Sequence, residues 1–193
     1  MEINAERVIE LVKSVRPLFM DHERASRITV KGAADFVTQV DFLVQERMRS
    51  GLFDMYPQVQ FMGEEKDNRD IDFSGAVWIL DPVDGTTNLI HDFRCSALSL
   101  ALCDRGQMEL GIIYQPYEDE LFLAQRGKGA FLNGNPIHVS SVKDLGQSLI
   151  SIGTSPYNHD LADRNFEDIK RVFLKCSDLR RPGSEAVDLA YVA

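Results

Sequence analysis

Between residues 60 and 132 the apolar residues come in six short runs, 60–62, 76–80, 97–103, 110–114, 121–124 and 130–132. Runs of this length suit strands better than helices. Turn chemistry separates several of them: Asp104-Arg105-Gly106, Tyr117-Glu118-Asp119 and Asn133-Gly134. The spacing predicts an antiparallel meander. Helical periodicity is kept to either side of it. Asn4 stands as an N-cap before Val8, Leu11, Val12, Val15 and Phe19, which recur at helical spacing, with Pro17 set to end or bend the helix. Residues 30–37, with Gly32 and two alanines, read as a mobile loop or short hairpin. Thr38 then caps a second helix that turns Val40, Leu43, Val44 and Met48 inward and stops near Pro57.

From Ser148 the pattern changes. A buried-type strand at 149–152 precedes a helix at 162–175, with Ile169, Val172 and Phe173 inward. A second short strand follows at 179–181, and Gly183-Ser184 leads into an apolar stretch, 186–193, that begins another helix. This is the βαβα grammar of a parallel sheet. The expected fold class is therefore α/β in a layered α+β arrangement, with an antiparallel sheet lobe in residues 1–145 and an α/β lobe beginning in 146–193. No repeat or low-complexity linker intervenes, so the lobes are expected to be fused tightly. The last nine residues, from Glu185, stop inside their own periodic pattern without a C-cap glycine. The second lobe is accordingly expected to be C-terminally incomplete.

Composition removes several classes. With 44% hydrophobic and 26% charged residues, the chain is neither disordered nor fibrous. No apolar run approaches the ~20 residues that cross a bilayer, and the first residues lack a signal-peptide core. Cys95, Cys103 and Cys176 lack metal-type spacing and read as reduced thiols of a cytoplasmic protein. The net charge of −9 is spread along the chain. It argues against direct nucleic-acid binding, which needs basic clusters, and against attachment to a membrane surface.

The densest chemistry lies in Trp78-Ile-Leu-Asp81-Pro82-Val83-Asp84-Gly85-Thr86-Thr87-Asn88. A strand delivers Asp81, Pro82 interrupts its ladder, and Asp84 follows within one turn, so two carboxylates converge. Gly85 permits close backbone approach, and Thr86-Thr87 starts a helical turn whose N–H groups face an anion. Carboxylates beside such amides suit a hard divalent cation gripping a phosphate. An ordinary Asp-Pro-x-Asp-Gly turn has the same sequence, and this stretch alone leaves the two readings level. Gly63-Glu64-Glu65 and Asp35-Phe-Val-Thr38-Gln-Val-Asp41 add acidic groups, each explicable singly as a solvated strand end or a helix-dipole partner. His22, His138 and His159 read as surface residues, and His91 as a structural hydrogen-bonder.

Taken in order with Lys31 and with Gly183-Ser184-Glu185-Ala-Val-Asp-Leu-Ala190, these segments resemble the inositol monophosphatase family, the Mg²⁺-dependent, lithium-sensitive sugar-phosphate phosphatases. The resemblance runs from the first helix to the last residue. It implies an αβαβα sandwich, a homodimer, and two to three Mg²⁺ ions per site. Glu64, Asp81, the Val83 carbonyl and Asp84 would hold metal, and Asp41 with Thr86 would orient or deprotonate the attacking water. Gly85 and Thr86 would hold phosphate oxygens. Asp84, Gly183, Ser184 and Glu185 would face substrate hydroxyls.

The substrate so implied is a small phosphate ester, first myo-inositol 1-phosphate. Fructose 1,6-bisphosphate, NADP and 3′-phosphoadenosine phosphate are the alternatives within the class. A non-catalytic or regulatory role through protein or RNA-machinery contacts is the alternative outside it. Two departures from the family pattern stand out. Arg94-Cys95 replaces the usual proline after His91, and the Trp-Asp motif that completes the family's second metal site is not in this sequence, whose only tryptophan is Trp78.

Overall fold

The computed structural model describes residues 3–32 and 35–193. Helix α1 (Ala5–Lys13) begins where expected, with Asn4 Oδ1 accepting from Arg7 N at 3.1 Å. The single first helix of the sequence reading is instead three: α2 (Arg16–Phe19) and α3 (His22–Ala25) follow as separate turns. Pro17 explains the break, because it has no N–H to continue the helical ladder and is tolerated only in a first turn. A hairpin of β1 (Ile28–Gly32) and β2 (Asp35–Thr38) comes next, so residues 30–37 resolve as the hairpin alternative; its two alanines lie outside the described residues. Thr38 and Asp41 form a reciprocal capping box at the start of α4 (Gln39–Met55).

The meander is present as β3 (Gln60–Gly63), β4 (Ala76–Asp84), β5 (Ala97–Asp104), β6 (Gln107–Gln115), β7 (Glu120–Gln125), β8 (Gly129–Leu132) and β9 (Asn135–Ile137). These seven strands form one sheet in chain order. Two features differ from expectation. β3 pairs with β4 in parallel, because residues 64–75 carry the chain back to the same end before β4 starts. β9 extends the sheet beyond residue 132: Asn133 (φ 48°) and Gly134 (φ 80°) supply the two left-handed residues of a tight hairpin.

The core lies between this sheet and the first helices. Val8, Val12, Val40, Val44, Met48 and Leu52 pack against Trp78 and Leu80 of β4, alternate leucines 98, 100 and 102 of β5, and Leu110, Ile112 and Tyr114 of β6. The period-2 alternation buries one face of the strands, and the 3.6-residue period of α4 supplies the matching stripe. Leu43, expected inward, is only half-buried.

A second, two-stranded sheet pairs β10 (Leu149–Ser151) with β11 (Asp178–Arg180) in parallel, linked by α6 (Ala162–Phe173). The parallel pairing is as read from the sequence, but the burial is not. Leu149 is 60% and Phe173 52% exposed, while Ile169 and Val172 are half-buried. Among the described residues these strands have no third neighbour to bury them. Helix α7 (Glu185–Ala190) joins this region to the larger sheet, resting on β5 and β6 with Val187 and Ala190 buried. Cys103 is buried, while Cys95 and Cys176 are half-buried, all three as free thiols. Among the described residues no helix is long and apolar enough to cross a membrane.

Candidate active site

β4 pairs regularly with β5 as far as Asp81 opposite Ser99, and pairing resumes at Asp84 opposite Ala97. The register shifts between them, where Pro82 has no donor to give. Asp81 Oδ1 accepts from Val83 N at 3.1 Å, closing an Asx turn inside the bulge. Gly85 then adopts φ 87° as N-cap of the short helix α5 (Thr86–Ile90).

Glu64 reaches the same place from β3. Its N–H donates to Leu80 O at 3.1 Å, which extends the parallel ladder by one rung and sets the Glu64 and Asp81 carboxyls in hydrogen-bond contact. Burial, followed by the charges of Glu64 and Asp84, pushes the Asp81 carboxyl up to about 9. Two carboxyls so placed must share a proton or take a cation.

Asp41, in the first turn of α4, is buried, and burial raises its pKa against the opposing hydrogen bonds from Thr38 and Thr86. Its Oδ2 accepts from Thr38 N at 2.8 Å and Thr38 Oγ1 at 2.6 Å, leaving Oδ1 to Thr86 Oγ1 at 3.2 Å. Thr86 Oγ1 also lies 3.0 Å from Val83 O. With one proton, the hydroxyl serves only one of these acceptors at a time.

Asp84 is placed differently. Its Oδ2 accepts from Ser184 Oγ and, at 2.7 Å, from Ala186 N at the start of α7. Burial raises its pKa, and those two bonds oppose the rise. The expected convergence of Asp81 and Asp84 on one point is thus partial. Asp84 acts on Asp81 through its charge while its side chain bonds to the C-terminal segment. Among the described residues no group of three His, Cys, Asp or Glu side chains is arranged to hold a metal ion. The pair in direct contact is Glu64 with Asp81.

The C-terminal segment is fastened to this loop from several sides. Asn88 Nδ2 donates to Cys95 O at 2.6 Å and Pro182 O at 2.8 Å, and Ser96 Oγ donates to Gly85 O at 2.8 Å. Gly183 (φ 88°) and Ser184 lie directly over Gly85, and Glu185 opens α7 at the exposed rim. Sequence reading gave Asn88 and Ser96 no role. Asn88 was legible as the last residue of the quoted motif, whereas nothing local marks Ser96. His91 closes α5 as its C-cap.

A Cβ at Gly85 would lie 3.1 Å from both Cys95 O and Gly183 O, on a backbone that L-residues avoid. Gly85→Ala is therefore expected to destabilise the chain by roughly 1–3 kcal/mol, read from the midpoint of urea unfolding.

The fold and this loop together describe a mixed α/β protein with an oxygen-rich acidic site at a strand end. A sequence profile of the inositol monophosphatase family matches residues 1–193, and the chain belongs to that family. It is 35% identical to an inositol monophosphatase of Dictyostelium discoideum over 97% of this chain and 71% of the relative. It is 36% identical to the Nus factor SuhB of Escherichia coli strain K12 over 84% of this chain and 61% of that protein. The crystal structure of extragenic suppressor protein suhB from Bartonella henselae superposes with a TM-score of 0.87, at 31% identity, over 97% of this chain and 73% of that one. An IMPase/NADP phosphatase complexed with Mg²⁺ and phosphate superposes with a TM-score of 0.76, at 27% identity, over 93% and 66%. The match thus spans between about 60% and 75% of these relatives' lengths.

Proposed function

We propose that the chain serves a Mg²⁺-dependent hydrolysis of a small polyol phosphate monoester, with myo-inositol 1-phosphate as the first candidate. The observation that carries this reading is the Glu64–Asp81 carboxyl pair held beside the Asp41–Thr86 hydrogen bond at one strand end. The donor set fits a hard cation, because it is all oxygen and sets the half-buried Asp81 carboxyl against the like charges of Glu64 and Asp84. Glu64, Asp81 and the Val83 carbonyl would hold the metal, with Asp84 contributing charge. A bound divalent cation supplies Lewis acidity to the phosphate and a more acidic water.

The chain's own groups do the rest. Thr86 donates to Asp41 and presents its oxygen lone pairs to the attacking water, so the pair orients that water and draws on its proton. The Gly85 and Thr86 amides face phosphate oxygens. Asp84, by gripping Ser184 and Ala186, keeps Gly183, Ser184 and Glu185 within reach of the substrate's hydroxyls.

Glu185 would repel a second phosphate set beside it, which favours a monophosphate over fructose 1,6-bisphosphate, NADP or 3′-phosphoadenosine phosphate. Phosphate release measured across these four compounds is expected to be fastest for myo-inositol 1-phosphate by at least about tenfold. A clear preference for any of the others overturns the assignment. The family resemblance also carries the homodimer, which light scattering reads directly.

The similarity to a protein named Nus factor SuhB favours a second reading, a non-catalytic chain acting through contact with RNA machinery. A folded chain without turnover on any of the four compounds, but with a specific macromolecular partner, would select it.

A further inference from the structure

Helix α4 reaches the site at two points one turn apart. Asp41, in its first turn, bonds Thr86. Gln45, four residues on and therefore on the same face, reaches the Gly63-Glu64-Glu65 turn. Its Oε1 accepts from Glu65 N at 3.0 Å, and that N–H fixes which end of the amide faces the turn. The side chain is largely buried, and its oxygen lies only 2.2 Å from where a Cβ on Gly63 would be. Gly63 is thus the residue that makes room for Gln45. On the far side of the turn, Glu65 is clamped by Lys31 Nζ of β1 at 2.5 Å. Both hydrogen bonds hold Glu65, the residue directly after Glu64, and the Glu64 N–H is spent on Leu80 O.

We infer that Gln45 is a positioning residue: its amide oxygen fixes the Gly63-Glu64-Glu65 turn so that the Glu64 carboxyl meets Asp81, and α4 thereby sets the spacing between this carboxyl pair and the Asp41–Thr86 hydroxyl. The inference rests on the reading of Glu64 and Asp81 as metal ligands. A rigid helix suits the task, because Asp41 and Gln45 cannot move independently of each other. The hydrogen bonds to the turn act on orientation, while the cation would be met by the carboxyls and the Val83 carbonyl.

Calorimetric titration of the chain with Mg²⁺ alone tests this. Gln45→Met keeps volume but removes the acceptor, and is expected to weaken Mg²⁺ binding about tenfold or more, as loss of a group that orients a ligand does. Gln45→Glu restores an acceptor oxygen and is expected to bind within about threefold of wild type. Gly63→Ala should weaken binding similarly, and the Gly63→Ala/Gln45→Ala pair should be no worse than either change alone, because both act through one contact. Melting temperatures taken without Mg²⁺ identify any variant that fails to fold. Wild-type binding that depends on Glu64, as tested by Glu64→Gln, but is unchanged in Gln45→Met overturns the positioning role alone. Equal losses in Gln45→Met and Gln45→Glu also overturn it. Absence of Glu64-dependent Mg²⁺ binding in the wild-type chain overturns the metal reading and this inference together.

Discussion

Replacing Asp81 by Asn is expected to abolish Mg²⁺-dependent phosphate release, lowering turnover on the order of 10³-fold or more, as loss of several kcal/mol of charge stabilisation requires. Asp81 is in contact with Glu64, under the charge of Asp84, and at the bulge that presents the Val83 carbonyl. The substitution keeps the side chain's shape and its acceptor for Val83 N–H, so the bulge should survive. The same change should raise the melting temperature of the metal-free chain at pH 8, because it removes a carboxyl that must take up a proton on folding, its charged form being opposed by burial and two neighbouring carboxyls. Loss of turnover with gain of metal-free stability distinguishes a site held together by its ligand from a structural turn. A turn whose carboxylates only close hydrogen bonds would lose stability instead.

The second large effect is the coupling of stability to pH and Mg²⁺. Asp81 rises from 3.8 in its ordinary state to about 9 in the fold. Between these values the folded chain keeps a proton that the unfolded chain has released. Stability from this group is therefore full below about pH 4 and is lost as pH rises towards about 9. Asp41 and Asp84 are raised as well, so they add in the same direction. The metal-free chain should melt at progressively lower temperature from pH 5 to pH 9, with a shallower slope in Asp81→Asn. Mg²⁺ takes the proton's place, so it should stabilise strongly at pH 8 and little at pH 5. At a hundredfold excess over its dissociation constant it contributes about 2.7 kcal/mol, or roughly 5–10 °C for a chain of this size. Scanning calorimetry at two pH values with and without Mg²⁺ reads both parts. A melting temperature that rises with pH in the absence of metal contradicts the assignment.

Much of the site was legible because its parts are covalently close. Asp81 to Asn88 are joined by strand, bulge, left-handed glycine and helical turn, and each of these has a local signature. The Thr38–Asp41 capping box is likewise local. The alternation of β4 to β8 and the stripe of α4 announced a sheet packed on a helix. What stayed hidden depends on pairings distant in sequence. The parallel register of β3 with β4 brings Glu64 to Asp81, a grouping that the family resemblance implied but that nothing in the acidic pair Glu64-Glu65 itself specifies. Gln45 to Glu65 and Asn88 across to Pro182 are side-chain reaches over 20 and 94 residues. Asp84 shows the opposite limit: the motif put it beside Asp81, and the N-terminus of α7, 100 residues on, draws it aside. The exposure of Leu149 in β10 and of Phe173 in α6 goes with a sheet of only two strands among the described residues, which a periodic pattern cannot reveal.

Phosphate release from myo-inositol 1-phosphate, followed as Mg²⁺ is titrated into the metal-free chain and into Asp81→Asn, tests the central claim most directly. The account predicts release that is absent without metal, saturates with Mg²⁺ in the wild-type chain and stays at background in the variant. Release that persists in chelator, or that is equal in wild type and Asp81→Asn, would contradict it.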